Sequence, residues 1–156
     1  MELSEITKEK RWCGFCTSND ICDNEKCKTC RDKSFASNPK SIHWSPKNTI
    51  LPRFVYKSTS SKFLFDCNTC GHEFSIQLNN ITNKNSWCQF CVNKKLCDDE
   101  KCIMCRDKSF ASNPKSICWS KKNTILPRFV FRSHTKKIIF DCNICGHEFS
   151  MTLNGN

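Results

Sequence analysis

Cysteine spacing constrains this chain more than any other feature. Fifteen cysteines stand among 156 residues, and all but Cys22, Cys97 and Cys118 fall in Cys-x-x-Cys pairs. The pattern repeats at a shift of 75 residues without a gap: Trp12-Cys13-Gly14-Phe15-Cys16 returns as Trp87-Cys88-Gln89-Phe90-Cys91. The same shift carries Cys22 to Cys97, Cys27 to Cys102, Cys30 to Cys105, Cys67 to Cys142, Cys70 to Cys145 and His72 to His147. Leu3, Leu78 and Leu153 share one phase, so the chain reads as two periods with a short overlap. The expected units are residues 1–75 and 76–156, with sites shared across their boundary and ends that meet in the same phase.

Units of this size need a staple. Hydrophobic residues make up 38% of the chain, a figure that includes the cysteines, and too little apolar material remains for a large core. The opening MELSEITKEKR is polar and charged, unlike a signal peptide, and no stretch approaches the roughly 20 apolar residues of a membrane span. An odd number of cysteines cannot all pair within one chain. These features favour zinc thiolates in a reducing intracellular compartment over a disulfide framework.

Structural zinc takes four ligands in tetrahedral array. Cys67 and Cys70, with Cys88 and Cys91, give C-x2-C-x17-C-x2-C, a strong zinc spacing. Cys22, Cys27 and Cys30 form a second cluster, and Cys97, Cys102 and Cys105 its counterpart. One substitution inside the near-identical stretches SIHWS and SICWS suggests how each is completed: His43 for the first, Cys118 for the second. Histidine and cysteine share little except the ability to ligate zinc. Cys13 and Cys16 at one end, with Cys142 and Cys145 at the other, are the halves of a fourth site. The ligands then sort into four sets, which predicts four zinc ions per chain. A closed monomer, its ends joined through that fourth site, is favoured over head-to-tail association. His72 and His147 read as hydrogen-bonding neighbours of the knuckle cysteines or as alternative ligands.

The local pattern predicts a small zinc-stabilised α+β fold of tandem repeats, with short helices, short antiparallel sheets and zinc knuckles. Asp23 and Asp98 are expected to cap short helices over the Cys-x-x-Cys pairs, with a further turn at SFAS stopped by Pro39 or Pro114. Residues 53–56 and 62–65 flank Ser-Thr-Ser-Ser and predict a hairpin. Residues 72–78 alternate as a third strand, with Cys67-Asn68-Thr69-Cys70-Gly71 as the knuckle between. Trp12, Trp44, Trp87 and Trp119 are expected to form small aromatic cores.

The segments from Phe35-Ala-Ser-Asn-Pro through Trp44-Ser-Pro-Lys-Asn48 and Leu51-Pro52, then Phe65-Asp-Cys67-Asn-Thr-Cys70-Gly-His72-Glu-Phe74, then Trp87-Cys88-Gln-Phe-Cys91, resemble a known family. It is the probable zinc-ribbon, treble-clef repeat of bacteria, plants and giant DNA viruses. With its Asn/Lys-rich tone and LCDDEKC cluster, the chain is most similar to zinc-ribbon proteins of mimivirus-like giant DNA viruses. The resemblance implies that Cys67, Cys70, Cys88 and Cys91 ligate zinc. It also implies a setting in the host cytoplasm or viral factory, or packaging in the virion.

A formal charge of +10 invites a nucleic-acid partner. Thiolate ligation discounts it: four filled sites leave a holo charge of about +3. The leading expectation is a non-catalytic zinc module that binds nucleic acid. Its basic candidates are the repeated positions Lys33, Lys40, Lys47 and Arg53, with Lys108, Lys115, Lys122 and Arg128. The alternative is a structural or protein-interaction scaffold of a viral particle or factory, in which those charges balance the metal sites. An enzyme is disfavoured, since filled zinc sites leave no position for a reacting water and no catalytic set stands out.

Overall fold

The computed structural model describes Phe15 and residues 20–154, in two units, Met1–Cys88 and Gln89–Asn156. In the first, helix α1 (Lys28–Lys33) starts at an extended Cys27 that makes no side-chain cap bond. The expected caps at Asp23 and Asp98 are replaced by their neighbours. Asn24 Oδ1 accepts from Lys26 N at 3.0 Å and its carbonyl from Cys27 N at 3.0 Å, a turn made by the short amide side chain. Ser34 ends the helix in extended conformation, and 3-10 turns follow at Phe35–Ser37 and Pro39–His43. Asn38 caps the second, accepting from Lys40 N, with Pro39 in the first turn where its missing N–H costs nothing.

The predicted hairpin does not form. Residues 52–54 make a 3-10 turn, pre-set by Pro52, and Tyr56 makes only an isolated antiparallel bridge to Ser34. Strand β1 (Lys62–Asp66) pairs across the knuckle with β2 (Glu73–Gln77), Phe65 opposite Phe74, so the sheet has two strands rather than three. The knuckle closes through Cys67 N to the His72 carbonyl at 3.0 Å and Gly71 N to the Cys67 carbonyl at 2.8 Å. Gly71 stands at φ +68 with open space around it, so the backbone conformation and not crowding requires glycine there. Helix α2 (Leu78–Lys84) follows at once, buries Leu78 and Ile81, and ends on Asn85 in left-handed conformation. Because β2 leads into this buried helix, the first unit runs on to Cys88.

Packing in the first unit centres on Phe35 and Phe65, both fully buried. Trp44 lies 5.6 Å and 5.3 Å from those rings and donates its indole N–H to the Ile50 carbonyl at 3.0 Å. Asn48 clamps the preceding loop to β1: its amide donates to the Ser45 and Leu64 carbonyls at 3.0 and 2.8 Å, and accepts from Leu64 N at 3.0 Å. Every polar group of that side chain is used, a reason for asparagine and nothing else.

The second unit repeats these devices. Helix α3 (Ile103–Lys108) precedes 3-10 turns at Phe110–Ser112, Pro114–Cys118 and Pro127–Phe129. Strands β3 (Ile138–Asp141) and β4 (Glu148–Met151) pair antiparallel, Phe140 opposite Phe149. Asn123 reproduces the clamp on Ser120 and Ile139. Phe110, Ile138 and Phe140 form the buried cluster, against which Cys118, Trp119 and Leu153 pack. Among the described residues no helix follows β4, and no helix is long and apolar enough to cross a membrane.

Candidate metal centres

The knuckle between β1 and β2 presents Cys67 and Cys70, and Cys88 comes to them from beyond α2. Within the first unit the sulfurs of Cys67, Cys70 and Cys88 lie within 4.8 Å of one another, and Cys91 follows Cys88 three residues on in the sequence. Tetrahedral zinc with bonds of about 2.3 Å sets its sulfurs about 3.8 Å apart. Cys70 and Cys88 are 3.4 Å apart, far beyond the roughly 2.05 Å of a disulfide. Cys67 and Cys88 are buried at 2% and 0% exposure. Three sulfurs at this spacing, two of them buried, fit a structural zinc, for which the sequence supplies Cys91 as the fourth thiolate.

Two further clusters sit at the feet of α1 and α3. The ligand atoms of Cys22, Cys27 and Cys30 lie within 4.8 Å of one another, as do those of Cys97, Cys102 and Cys105. In each, the first cysteine donates its backbone N–H to the third sulfur at 3.4 Å. Burial pushes the Cys105 thiol up to about 11, so a metal that binds here must displace its proton. The Cys22 thiol is lowered, chiefly by a hydrogen bond from Cys30.

An arginine accompanies each cluster, buried in the second unit and half-buried in the first. Arg128 is 8% exposed; its Nη2 donates to the Asp99 carbonyl at 2.6 Å and lies 3.5 Å from Cys97 Sγ. Its Nε and Nη1 are buried without a hydrogen-bond partner. A charged guanidinium so placed is costly unless negative charge stands beside it, which thiolates on zinc supply. Arg53 donates likewise to the Asn24 carbonyl at 2.6 Å.

His43 and Cys118 are not drawn into these clusters. Each ends its 3-10 turn on the side facing the sheet: the His43 ring lies 5.7 Å from Trp87, and Cys118 packs on the Phe110 cluster. The substitution between them therefore sits beside the knuckle of its unit. His72 and His147 serve the knuckles through their backbone carbonyls, which accept from Cys67 N and Cys142 N at 3.0 and 2.9 Å.

At the second knuckle, Cys142 and Cys145 stand in the loop between β3 and β4, and Cys145 is exposed. Cys142 is held below the usual thiol range, first by the backbone N–H of Cys145 and then by that of Ile144. Cys13 and Cys16, expected to join them, lie outside the described residues.

The basic candidates have occupations within their own units. Lys33 Nζ donates to the Phe15 carbonyl at 2.7 Å, and Lys108 Nζ to the Phe90 carbonyl at 2.7 Å. Lys40 lies 4.9 Å over the Trp87 ring and donates to Asn85 at 3.2 Å. Lys47 pairs with Glu73 at 3.1 Å and Lys122 with Glu148 at 2.6 Å. Lys115 reaches the rim of a cavity beside Cys142. Sequence reasoning missed that Arg53 and Arg128 belong to the cysteine clusters. The matching shift of 75 residues between arginine and cluster was the signal available.

Residues 42–94 match the family described as a probable treble clef zinc finger domain. The matched span runs from the turn holding His43 through both strands to the Cys88–Cys91 turn. The chain is a small, cysteine-rich α+β protein in which this one span is similar to that domain. It is 40% identical over 140 residues, 89% of its length, to an uncharacterized protein of Acanthamoeba polyphaga mimivirus. It spans 34% of that relative's length.

Proposed function

We propose that this chain is a non-catalytic structural-zinc module that serves as a protein-interaction scaffold, with zinc closing its small cores. The carrying observation is the fate of the basic residues. Arg53 and Arg128 turn toward the cysteine clusters, Lys33 and Lys108 hold carbonyls, and Lys47 and Lys122 pair with glutamates. A phosphate-tracking surface needs such cations directed outward. The non-catalytic reading is supported by the gathered sulfurs of Cys67, Cys70 and Cys88, which with Cys91 from the sequence would supply all four places of a structural zinc. Four zinc ions per chain remain the expected load. The relative from a giant virus supports a viral particle or factory as the setting.

Nucleic-acid binding is the second reading, favoured by the formal charge of +10 and by Lys47 and Lys122 side chains that stay 70% and 69% exposed. Fluorescence anisotropy of the zinc-loaded protein with labelled single- and double-stranded oligonucleotides, across a salt series, separates the two. The scaffold reading expects negligible binding at physiological salt. Affinity that falls log-linearly with salt, at a slope of about −0.7 to −0.9 per phosphate contacted, decides for nucleic acid.

A further inference from the structure

The family match ends at residue 94, and the cysteine cluster of the second unit begins beyond it, at Cys97. The sulfurs of Cys97, Cys102 and Cys105 lie within 4.8 Å of one another, with Cys97 and Cys105 buried. A tight turn brings the first two together. The Asp99 carbonyl accepts from Cys102 N at 3.1 Å, and Asp99 Oδ1 accepts from Lys101 N at 2.9 Å. Cys102 leads into α3, whose first turn carries Cys105. Cys97 N donates to Cys105 Sγ at 3.4 Å. A backbone N–H aimed at sulfur favours the thiolate over the thiol.

One guanidinium is built into the same turn. Arg128 Nη2 donates to the Asp99 carbonyl at 2.6 Å and to Cys97 Sγ at 3.5 Å, so it grips both the turn and its first sulfur. The side chain is more than nine-tenths buried, and its Nε and Nη1 have no hydrogen-bond partner. Among the described residues no carboxylate pairs with it. A buried charge without a counter-charge is strongly destabilising, and neutral thiols supply none. Three thiolates and a neutral donor on a divalent zinc carry about −1, which one guanidinium cancels. The first unit repeats the device at Cys22, Cys27 and Cys30. There Arg53 donates to the Asn24 carbonyl at 2.6 Å and likewise buries its Nε and Nη1 without a partner.

We propose that Cys97, Cys102 and Cys105 hold a zinc ion of their own, separate from the span that matches the zinc-finger family, and that Arg128 is the counter-charge and positioning residue of that site. Each thiol releases its proton to solvent as the metal binds. The guanidinium steadies the turn between the first two ligands through the Asp99 carbonyl. Its hydrogen bond to Cys97 Sγ draws electron density from that sulfur and keeps the site close to neutral in its buried setting. The inference deepens the structural-zinc reading and rests on it.

Cadmium-113 NMR of the full chain, loaded with that isotope in place of zinc, tests it by reading each metal site as its own resonance. Cys102→Ser is expected to lower the metal content by one equivalent and to remove one resonance, which assigns that signal to this site. Arg128→Met keeps the bulk of the side chain but removes its charge and donors. It is expected to move that resonance alone and to weaken the site about tenfold or more in chelator competition, the effect of losing a hydrogen bond to a charged group. Arg128→Lys, which keeps the charge, should recover part of the loss, and Arg53→Met should leave this resonance in place. Full metal content and an unchanged spectrum in Cys102→Ser overturn the site. A resonance and affinity unmoved by Arg128→Met, or equal losses in the Met and Lys variants, overturn the role of the arginine. Should Arg128→Met not fold, nitrogen-15 NMR of the arginine Nε–H groups decides. An arginine signal is expected to differ between the loaded wild type and Cys102→Ser, and identical arginine spectra overturn the pairing. A chain that binds no metal at all fails the zinc reading itself, whereas one that fills its other sites and ignores Cys102→Ser fails this inference alone.

Discussion

Around Cys67 and Cys70 the knuckle lies under Trp87, and Phe74 is almost wholly buried. Around Cys142 and Cys145 no tryptophan covers Phe149 among the described residues, and nearly half of that ring is exposed. The sheets beneath are alike. Phe65 stacks on Phe74 at 6.0 Å and 29°, and Phe140 on Phe149 at 5.7 Å and 25°. Strand pairing and knuckle geometry are therefore local properties of the Phe-Asp-Cys-Asn-x-Cys-Gly-His-Glu-Phe stretch, formed with or without a lid. Burial is not local. It depends on a segment from the next period, so the packed unit ends at Cys88 and not at the sequence boundary of 75/76.

The comparison is broken most severely by removing a ligand under the lid. Cys88→Ser is expected to cost one zinc and the fold of the first unit, because structural zinc contributes roughly 10–16 kcal/mol of apparent binding energy to folding. Cys145→Ser, at the exposed knuckle, should leave both units folded. Zinc content and limited proteolysis of the two variants check the contrast; equal damage would erase the distinction.

Removing the lid itself comes next. Trp87→Ala is expected to destabilise the first unit by about 3–5 kcal/mol, the usual cost of emptying a large aromatic site. Trp119→Ala should cost the second unit a similar amount, since Trp119 packs on Phe110 and Phe140 at 5.5 and 5.7 Å. Denaturant unfolding followed by backbone NMR of each unit measures both.

His43→Ala sharpens the comparison from the other side. As a zinc ligand, His43 would take an ion away with it. As a neighbour of Trp87, its loss should cost about 0.5–1.5 kcal/mol, the range for a ring contact, and leave the zinc count unchanged. Inductively coupled plasma analysis of the variant distinguishes the two placements. The smallest effect is expected from Lys47→Gln and Lys122→Gln: their ion pairs are exposed, and each change should move stability by less than about 1 kcal/mol.

The cysteine clusters were legible because ligand spacing is written along the chain: Cys67, Cys70 and Cys88 come together in the first unit. The α+β class was legible for the same reason, since a knuckle forces two strands to turn back on each other. The three-stranded sheet was not. Residues 53–56 alternate like a strand, but Pro52 sets a 3-10 turn and Val55 turns inward, its carbonyl accepting from Phe35 N at 2.8 Å. The placement of Arg53 and Arg128 beside the cysteine clusters was not legible either. Burial of a cation depends on which anion it meets, and sequence places the cysteine clusters and the arginines 31 residues apart, as Cys97 and Arg128 show.

Stepwise chelation of the intact protein, followed by native mass spectrometry under reducing conditions, tests the zinc scaffold most directly. The account predicts four zinc ions per chain before chelator is added. The ion at the exposed Cys142/Cys145 knuckle should leave first, and the one held by buried Cys67 and Cys88 last, with loss of the first unit's fold. A chain that arrives without metal, or whose cysteines are joined in disulfides, or that keeps its fold after all zinc is gone, would contradict it.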